Sequence, residues 1–437
     1  MKSERRLPRS PRLLALALAV LACSSRDADV SCSPTPSCSL DAERFEPPAP
    51  IDAGVDRCGA GPRDRPHCSA ERLALGRTHS CALSPAGEIL CWGDDAQGQL
   101  GGSSLIAEDA GTVDDLRFVL GDARALAAGG AHGCAIDAAR AVHCWGDNSS
   151  GQVDGAESDA IARPIVVAGL RADAVAGGGA HSCALAEGEG VRCWGSASHG
   201  QVGREVAERA LPPDLVRDTA DAVEVAAGAR HSCARLASGR VLCWGELFDA
   251  AAGELQSIAD PRPVPGLEDA TQIAAGAGFS CALRQSGAVV CWGVNGSGQL
   301  GDGTSEPSET PVAVLDLELA LQVAAGDAEH EGQLVGHACA LTKSFLVQCW
   351  GRNREGQAGS ALAQDLVQTV VVQNERDDED PYLDGIQALA AGGFHTCAIE
   401  DDGEVLCWGD DAFDQLGARD PVTFGRPVEV RVFRGEF

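Results

Sequence analysis

The chain has 437 residues, with 64 acidic against 34 basic side chains and a formal net charge of −30. That acidic excess repels phosphate backbones and anionic headgroups, which argues against nucleic acid as a partner and leaves solubility as its plain role. The length exceeds what one hydrophobic core usually fills, and 53 glycines with only 4% aromatic residues suit short, closely packed strands better than long helices.

Residues 1–12 (MKSERRLPRSPR) form a basic leader, and residues 13–22 (LLALALAVLA) an apolar run too short to span a bilayer. Together they read as a signal peptide over 1–22. Val20-Leu21-Ala22-Cys23 resembles the lipobox of exported bacterial lipoproteins. The resemblance implies that Cys23 becomes a lipidated N-terminus, held stably by several acyl chains; ordinary secretion, with Cys23 a chance neighbour of the cut, is the alternative. Export to an outer-membrane or cell-surface location also accounts for 19 cysteines, too many for a reduced cytosol without a metal or redox role. After Cys23, residues 24–70 are rich in Ser, Pro, Asp and Arg and lack periodicity, so 23–70 reads as a flexible tether. It carries Cys32, Cys38, Cys58 and Cys68, whose pairing stays open among three arrangements.

From residue 71 to 437 the sequence repeats itself. Seven units each carry a short apolar strand, a Cys, nine intervening residues, then Cys-Trp-Gly. The pairs are Cys81 with Cys91, Cys134 with Cys144, Cys183 with Cys193, Cys233 with Cys243, Cys281 with Cys291, Cys339 with Cys349 and Cys397 with Cys407. First cysteines recur about every 50 residues, the spacing of a propeller blade. Folding residues 233–243 as a hairpin with the cysteines opposed pairs Ala234 with Leu242 and Arg235 with Val241. It leaves the loop Ala237-Ser238-Gly239, with Gly where a three-residue turn needs a left-handed backbone. Gly87, Gly287 and Gly403 take the same place. The register that opposes the cysteines is thus the one the turn selects, within disulfide reach. Zinc ligation fits less well, because zinc pairs are closely spaced; buried free thiols are the third reading.

After each Trp-Gly comes a Gly- and Asn-rich turn such as WGDDAQGQLG or WGVNGSGQLG, from which the fourth unit, WGELFDAAAG, departs. This pattern, with its preceding His-x-Cys-Ala, resembles the regulator of chromosome condensation repeat over about residues 71–432. The resemblance implies an all-β, seven-bladed β-propeller of four-stranded blades, and the cysteine register adds one disulfide within each blade. Units end in Pro-x-x-Val strands. The last, within residues 427–432, is expected to complete blade one and so close the ring.

His79, His132, His181, His231, His337 and His395 share one repeat position, where the fifth unit has Phe279. Such repetition marks structure, each ring being expected to bond within its own blade. The seven tryptophans read as inter-blade core. Asp94-Asp95 and Asp410-Asp411 lack the ligand spacing of a calcium loop, and no catalytic motif stands in a convincing context; neither a metal, nor a cofactor, nor a catalytic residue is expected. Singular loops are the better candidates for a partner surface. These are the sixth-unit insert 327–336, with His330, Glu331 and Leu334; the acidic seventh-unit insert 374–384, with Tyr382; and the altered fourth turn, with Phe248. The expected function is an envelope-anchored scaffold that binds a protein or envelope component and is no enzyme. The alternatives are a propeller-type hydrolase or lyase, and a secreted inhibitor resembling those of β-lactamases.

Overall fold

A computed structural model describes residues 70–104, 117–330, 332–373, 382–383, 385–418 and 425–430. Lipidation at Cys23, the tether cysteines, Glu331 and most of the acidic insert lie outside these residues.

The hairpin register follows the cysteine spacing. Cys233 opposes Cys243, with Ala234 against Leu242 and Arg235 against Val241. The staple recurs in every blade. Disulfides join Cys81 to Cys91, Cys134 to Cys144, Cys183 to Cys193 and Cys233 to Cys243, with Cα atoms 4.1 Å apart. They also join Cys281 to Cys291, Cys339 to Cys349 and Cys397 to Cys407, with Cα atoms 4.0–4.1 Å apart. Gly239 takes the left-handed backbone expected of it, at φ 87°. In blades two and six the same place is held by Arg140 and Phe345, at φ 66° and 60°. There the staple and neighbouring strands enforce a turn that the local sequence disfavours.

Each hairpin supplies the two middle strands of a four-stranded antiparallel blade. In blade four the order is Ala222–Ala227, His231–Leu236, Val241–Asp249, Glu254–Pro263. Seven such sheets are arranged as a propeller; blade one carries the additional strand Ser103–Ser104. The inner strands run from the hairpin-loop end toward an Ala-Gly step, so every blade has a glycine end and a hairpin-loop end. The described apolar core is divided into seven clusters, each shared by two neighbouring blades.

Ring closure differs from the expectation. Val428–Val430 pairs with Val405–Cys407 and is the outer strand of blade seven. Blade one is made from one contiguous segment, with Arg117–Leu120 as its outer strand. That RFVL segment lacks the Pro-x-x-Val signature, so the sequence leaves it unmarked. Blades seven and one therefore meet as neighbours across a seam. Gly393 N–H donates to Gly76 O (3.1 Å) and Ala70 N–H to Gly403 O (3.2 Å), over a shared core containing Trp92, Ile399 and Leu416.

Two devices join the inner strands across seams. At the glycine end, backbone amides donate to the next blade's glycine carbonyl: Arg77 to Gly130, Gly130 to Gly178, Gly179 to Gly228, and Ala229 to Gly276. Seams five/six and six/seven instead use side-chain amides. Gln272 bonds both Val323 N and O, and Gln322 bonds both Leu389 N and O. The change falls where the blade-six insert interrupts the glycine step.

Candidate functional site

The repeated histidines bond across seams, not within their blades as the sequence suggested. His132 Nε2 meets Ser182 Oγ at 2.9 Å, His181 meets Ser232 at 2.8 Å, His231 meets Ser280 at 2.7 Å, His337 meets Thr396 at 2.7 Å, and His395 meets Ser80 at 2.8 Å. Each partner stands in the next blade, at the position just before its first staple cysteine. The exceptions follow the same logic. Blade six has Ala338 there, and the residue facing it is Phe279. Blade two has Gly133, where an added Cβ would lie 2.5 Å from the Trp145 ring, and His79 is left with no partner at either nitrogen.

A relay continues from four of the five hydroxyls. Ser80, Ser182, Ser232 and Thr396 donate to the main-chain carbonyls of Gln415, Gln152, Gln201 and Gln357. The hydroxyl proton is thereby committed, so each facing histidine donates from Nε2–H and leaves Nδ1 bare. Those Nδ1 atoms are buried and unpartnered, beside the glycine of the same blade's Ala-Gly step. Burial, the largest cause throughout, keeps the six rings neutral. It lowers their pKa to about 4 for His79, His132 and His231 and to about 3 for His181, His337 and His395. These rings are latches: they cannot hold a proton near neutral pH, and water does not reach them.

The same glutamine carbonyls accept from tryptophan. Trp92, Trp145, Trp194, Trp244, Trp350 and Trp408 donate Nε1–H to Gln415, Gln99, Gln152, Gln201, Gln299 and Gln357 at 2.8–3.0 Å. The Gly-Gln turn is what aims that carbonyl. The Gln99 side chain caps Gln97 N–H, and Asp95 accepts from Leu100 N–H. Asn148, Asn295, Asn353 and Asp411 repeat the Asp95 bond. Asp94 and Asp410 brace their own turns in a similar way. The four aspartates weighed for calcium are thus turn-building groups.

Blade four breaks the pattern. Its third strand continues through Asp249 into a long hairpin with Glu254–Pro263, pairing Phe248 with Leu255 and Asp249 with Glu254. The hairpin tip docks on blade five, where Ala250 N–H donates to Glu309 at 3.0 Å. Beneath it, between blades four and five, lies a cavity of about 90 Å³ bordered by Phe248, Ile258, Val264, Gly278, Ser280 and Trp292.

The blade-six insert folds as a small hairpin, Ala328–His330 with Gln333–Val335. Glu329 reaches Arg230 of blade four at 2.9 Å, and Arg230 also meets Glu246 at 3.3 Å. Leu334 packs over Gly278 of blade five, its Cδ1 2.8 Å from where a Cβ there would stand. The backbone of His330 lies in the hairpin. At the start of the insert Asp327 Oδ2 is buried without a hydrogen-bond partner, as is Arg77 Nε of blade one. Burial pushes the Asp327 carboxyl up to about 6, against the pull of Arg77. These groups adjoin a polar depression of about 480 Å³ at the glycine end, which Arg77, Asp147, His199, Arg230 and Glu329 line.

Phe248 and Leu334 therefore flank the same part of blade five at the glycine end. Tyr382 does not join them. It is exposed and bridges Gln373, just after the outer strand Leu366–Val371 has run toward the hairpin-loop end. The sequence reading missed Ser280, Trp292 and Arg230. The first two were disguised as repeat residues, although the missing Gly-Gln of blade four was a visible signal.

Fold and seam chemistry define a disulfide-stapled repeat propeller, and comparison with known proteins gives the family. An RCC1-like domain model matches residues 61–331, more than half of the chain, and a regulator of chromosome condensation (RCC1) repeat model matches residues 386–415. The chain belongs to the RCC1-like family. It is 32% identical over 143 residues to the ultraviolet-B receptor UVR8 of Arabidopsis thaliana, covering 32% of this chain and 29% of the receptor. It is 38% identical over 84 residues to the probable E3 ubiquitin-protein ligase HERC4 of Homo sapiens, covering 19% of this chain and 8% of the ligase. The chain thus spans less than a third of these curated relatives. Among solved structures, human WBSCR16 aligns with a TM-score of 0.64 at 21% identity, covering 78% of this chain and 94% of that one. Prp20p of Saccharomyces cerevisiae aligns at 0.62 and 20%, covering 74% and 80%. Both likenesses are of fold.

Proposed function

We propose that the chain is an exported, lipid-anchored scaffold that binds a protein partner at the glycine end of the ring, chiefly over blades four to six. One observation carries this reading. The irregular hairpins of blades four and six stand together at that end, on a frame stapled in every blade and latched across most seams. Rigid scaffolds place recognition on such non-repeated segments, and aromatic and aliphatic side chains there are suitable anchors. Protein binding is also a property of a fold relative, since Prp20p binds Gsp1p and histones. Those partners are not carried over, because the export expected from residues 1–22 would part this chain from both. The buried, neutral histidines supply no general base, which favours binding over catalysis.

The test is site-specific photocrosslinking on intact cells. A crosslinker at Phe248 should yield one defined protein adduct, and one at Val223, at the opposite end of blade four, should yield none. Equal adducts from both positions, or none from Phe248, would contradict the reading. Labelling with a radioactive fatty acid, lost in Cys23→Ser, tests the anchor.

A further inference from the structure

We propose that the cavity between blades four and five is a receptor for a main-chain carbonyl, presented by a Gly-Gln-aliphatic type of loop on a protein partner. The donors are Ser280 Oγ–H and Trp292 Nε1–H. This rests on the scaffold reading and names the chemistry of its contact.

The molecule itself shows what the pair of donors recognises. At four other seams the equivalent hydroxyl and indole converge on one carbonyl oxygen. Ser80 and Trp92 reach Gln415 O at 2.8 and 3.0 Å; Ser182 and Trp194 reach Gln152 O at 2.8 and 2.9 Å. Ser232 and Trp244 reach Gln201 O at 3.0 and 2.9 Å; Thr396 and Trp408 reach Gln357 O at 2.8 and 3.0 Å. Blade four has no Gly-Gln turn to supply that oxygen to blade five. Ser280 is 2% exposed and Trp292 6%, and Trp292 Nε1 has no hydrogen-bond partner among the described residues. His231 Nε2 lies 2.7 Å from Ser280 Oγ. No glutamine carbonyl takes the Ser280 hydroxyl proton, so it is available to a ligand in the tautomer in which His231 Nε2–H donates. Its other neighbour, the Cys233 sulfur at 3.6 Å, is a weak acceptor. Ser182 and Ser232 touch such a sulfur too, at 3.7 and 3.6 Å, while donating to glutamine. Both residues border the cavity, which stands where the sister seams hold their glutamine carbonyl.

Size and lining select the ligand. A cavity of about 90 Å³ has room for a carbonyl in place of water. Phe248, Ile258 and Val264 give it an apolar wall, and Asp249, Arg262 and Glu309 border it as well. At the other seams the residue after the glutamine is Leu100, Val153, Val202, Leu300, Ala358 or Leu416, each 0% exposed. A second copy of this chain is a poor source of the loop. Its own turns are already spent, with Gln99, Gln152, Gln299, Gln357 and Gln415 also 0% exposed.

The probe is the capped heptapeptide Asn-Gly-Ser-Gly-Gln-Leu-Gly, the sequence of residues 295–301. It is titrated to millimolar concentration onto the exported protein with its indole nitrogens labelled. One indole N–H resonance, assigned to Trp292 by its loss in Trp292→Phe, should shift and exchange more slowly with water, while the other six stay fixed. Affinity should fall at least tenfold in Trp292→Phe and in Ser280→Ala, substitutions that keep a ring and, as Ala338 shows, a tolerated small residue. An unmoved Trp292 resonance, or equal affinity in both variants, overturns the proposal. A Phe248 crosslink obtained alongside an unmoved Trp292 would sink the carbonyl receptor and leave the scaffold standing; peptide binding without any crosslink would do the reverse.

Discussion

Seam three/four and seam four/five are built from the same repeat and end differently. At three/four, His181, Ser232, Trp244 and the Gln201 carbonyl close a buried relay, and Val202 fills the space behind it. At four/five, His231, Ser280 and Trp292 keep their places, but a hairpin takes the place of the glutamine turn and a cavity lies below it. The difference teaches that the turn after Trp-Gly is a separable part of the blade. The staple and the strands form without it, while the filling of the next seam depends on it.

The largest expected contrast is between two tryptophans. Trp145→Ala removes a ring that is 0% exposed and strands the Gln99 carbonyl; a loss of about 4 kcal/mol follows from the cavity left behind. Trp292→Ala opens a seam that already holds a cavity and strands no carbonyl, so its loss should be smaller by about 1–2 kcal/mol. Denaturant unfolding of both variants reads the contrast, and equal losses would mean the seams are filled alike.

Acid should break the latched seams together. Because the folded pKa values of the six rings are lowered, the unfolded chain binds more protons below about pH 6.5. Stability from these rings is therefore complete above that pH and is lost as pH falls toward 4 and 3. The melting temperature should drop steeply between pH 6 and 4, with uptake of several protons on unfolding. Replacing His132 by Phe should flatten that slope by up to one proton.

A smaller effect isolates one latch. Ser182→Ala leaves the His132 Nε2–H buried without an acceptor, at a cost of about 1–3 kcal/mol. Adding His132→Phe copies the natural pairing of Phe279 with Ala338 and should recover about 1 kcal/mol of it. A double-mutant cycle showing simple additivity would mean the ring and the hydroxyl do not act as a pair.

Local chemistry was readable in the sequence, and neighbour choice was not. Two cysteines ten apart with a glycine at the turn specify one hairpin register, because both constraints act within eleven residues. The Pro-x-x-Val signature marked a strand over 428–430 but not which blade takes it, since a propeller closes equally well either way. The direction of the histidine bonds depends on how adjacent blades are staggered, which no single repeat encodes. One trace of it was present: the only unit with Phe at the histidine position is followed by a unit with Ala before its cysteine, Phe279 and Ala338. Of the partner candidates, Phe248 and Leu334 were visible as departures from the repeat. Ser280 and Trp292 were hidden because they conform to it and only their neighbour changes.

The central claim is that six indoles are locked onto glutamine carbonyls and one faces a cavity. Hydrogen exchange of the seven tryptophan N–H groups in the unliganded protein tests it most directly. Six should exchange only through opening of the ring, and the Trp292 proton should exchange orders of magnitude faster. Seven equally protected indoles, or rapid exchange at several, would contradict it.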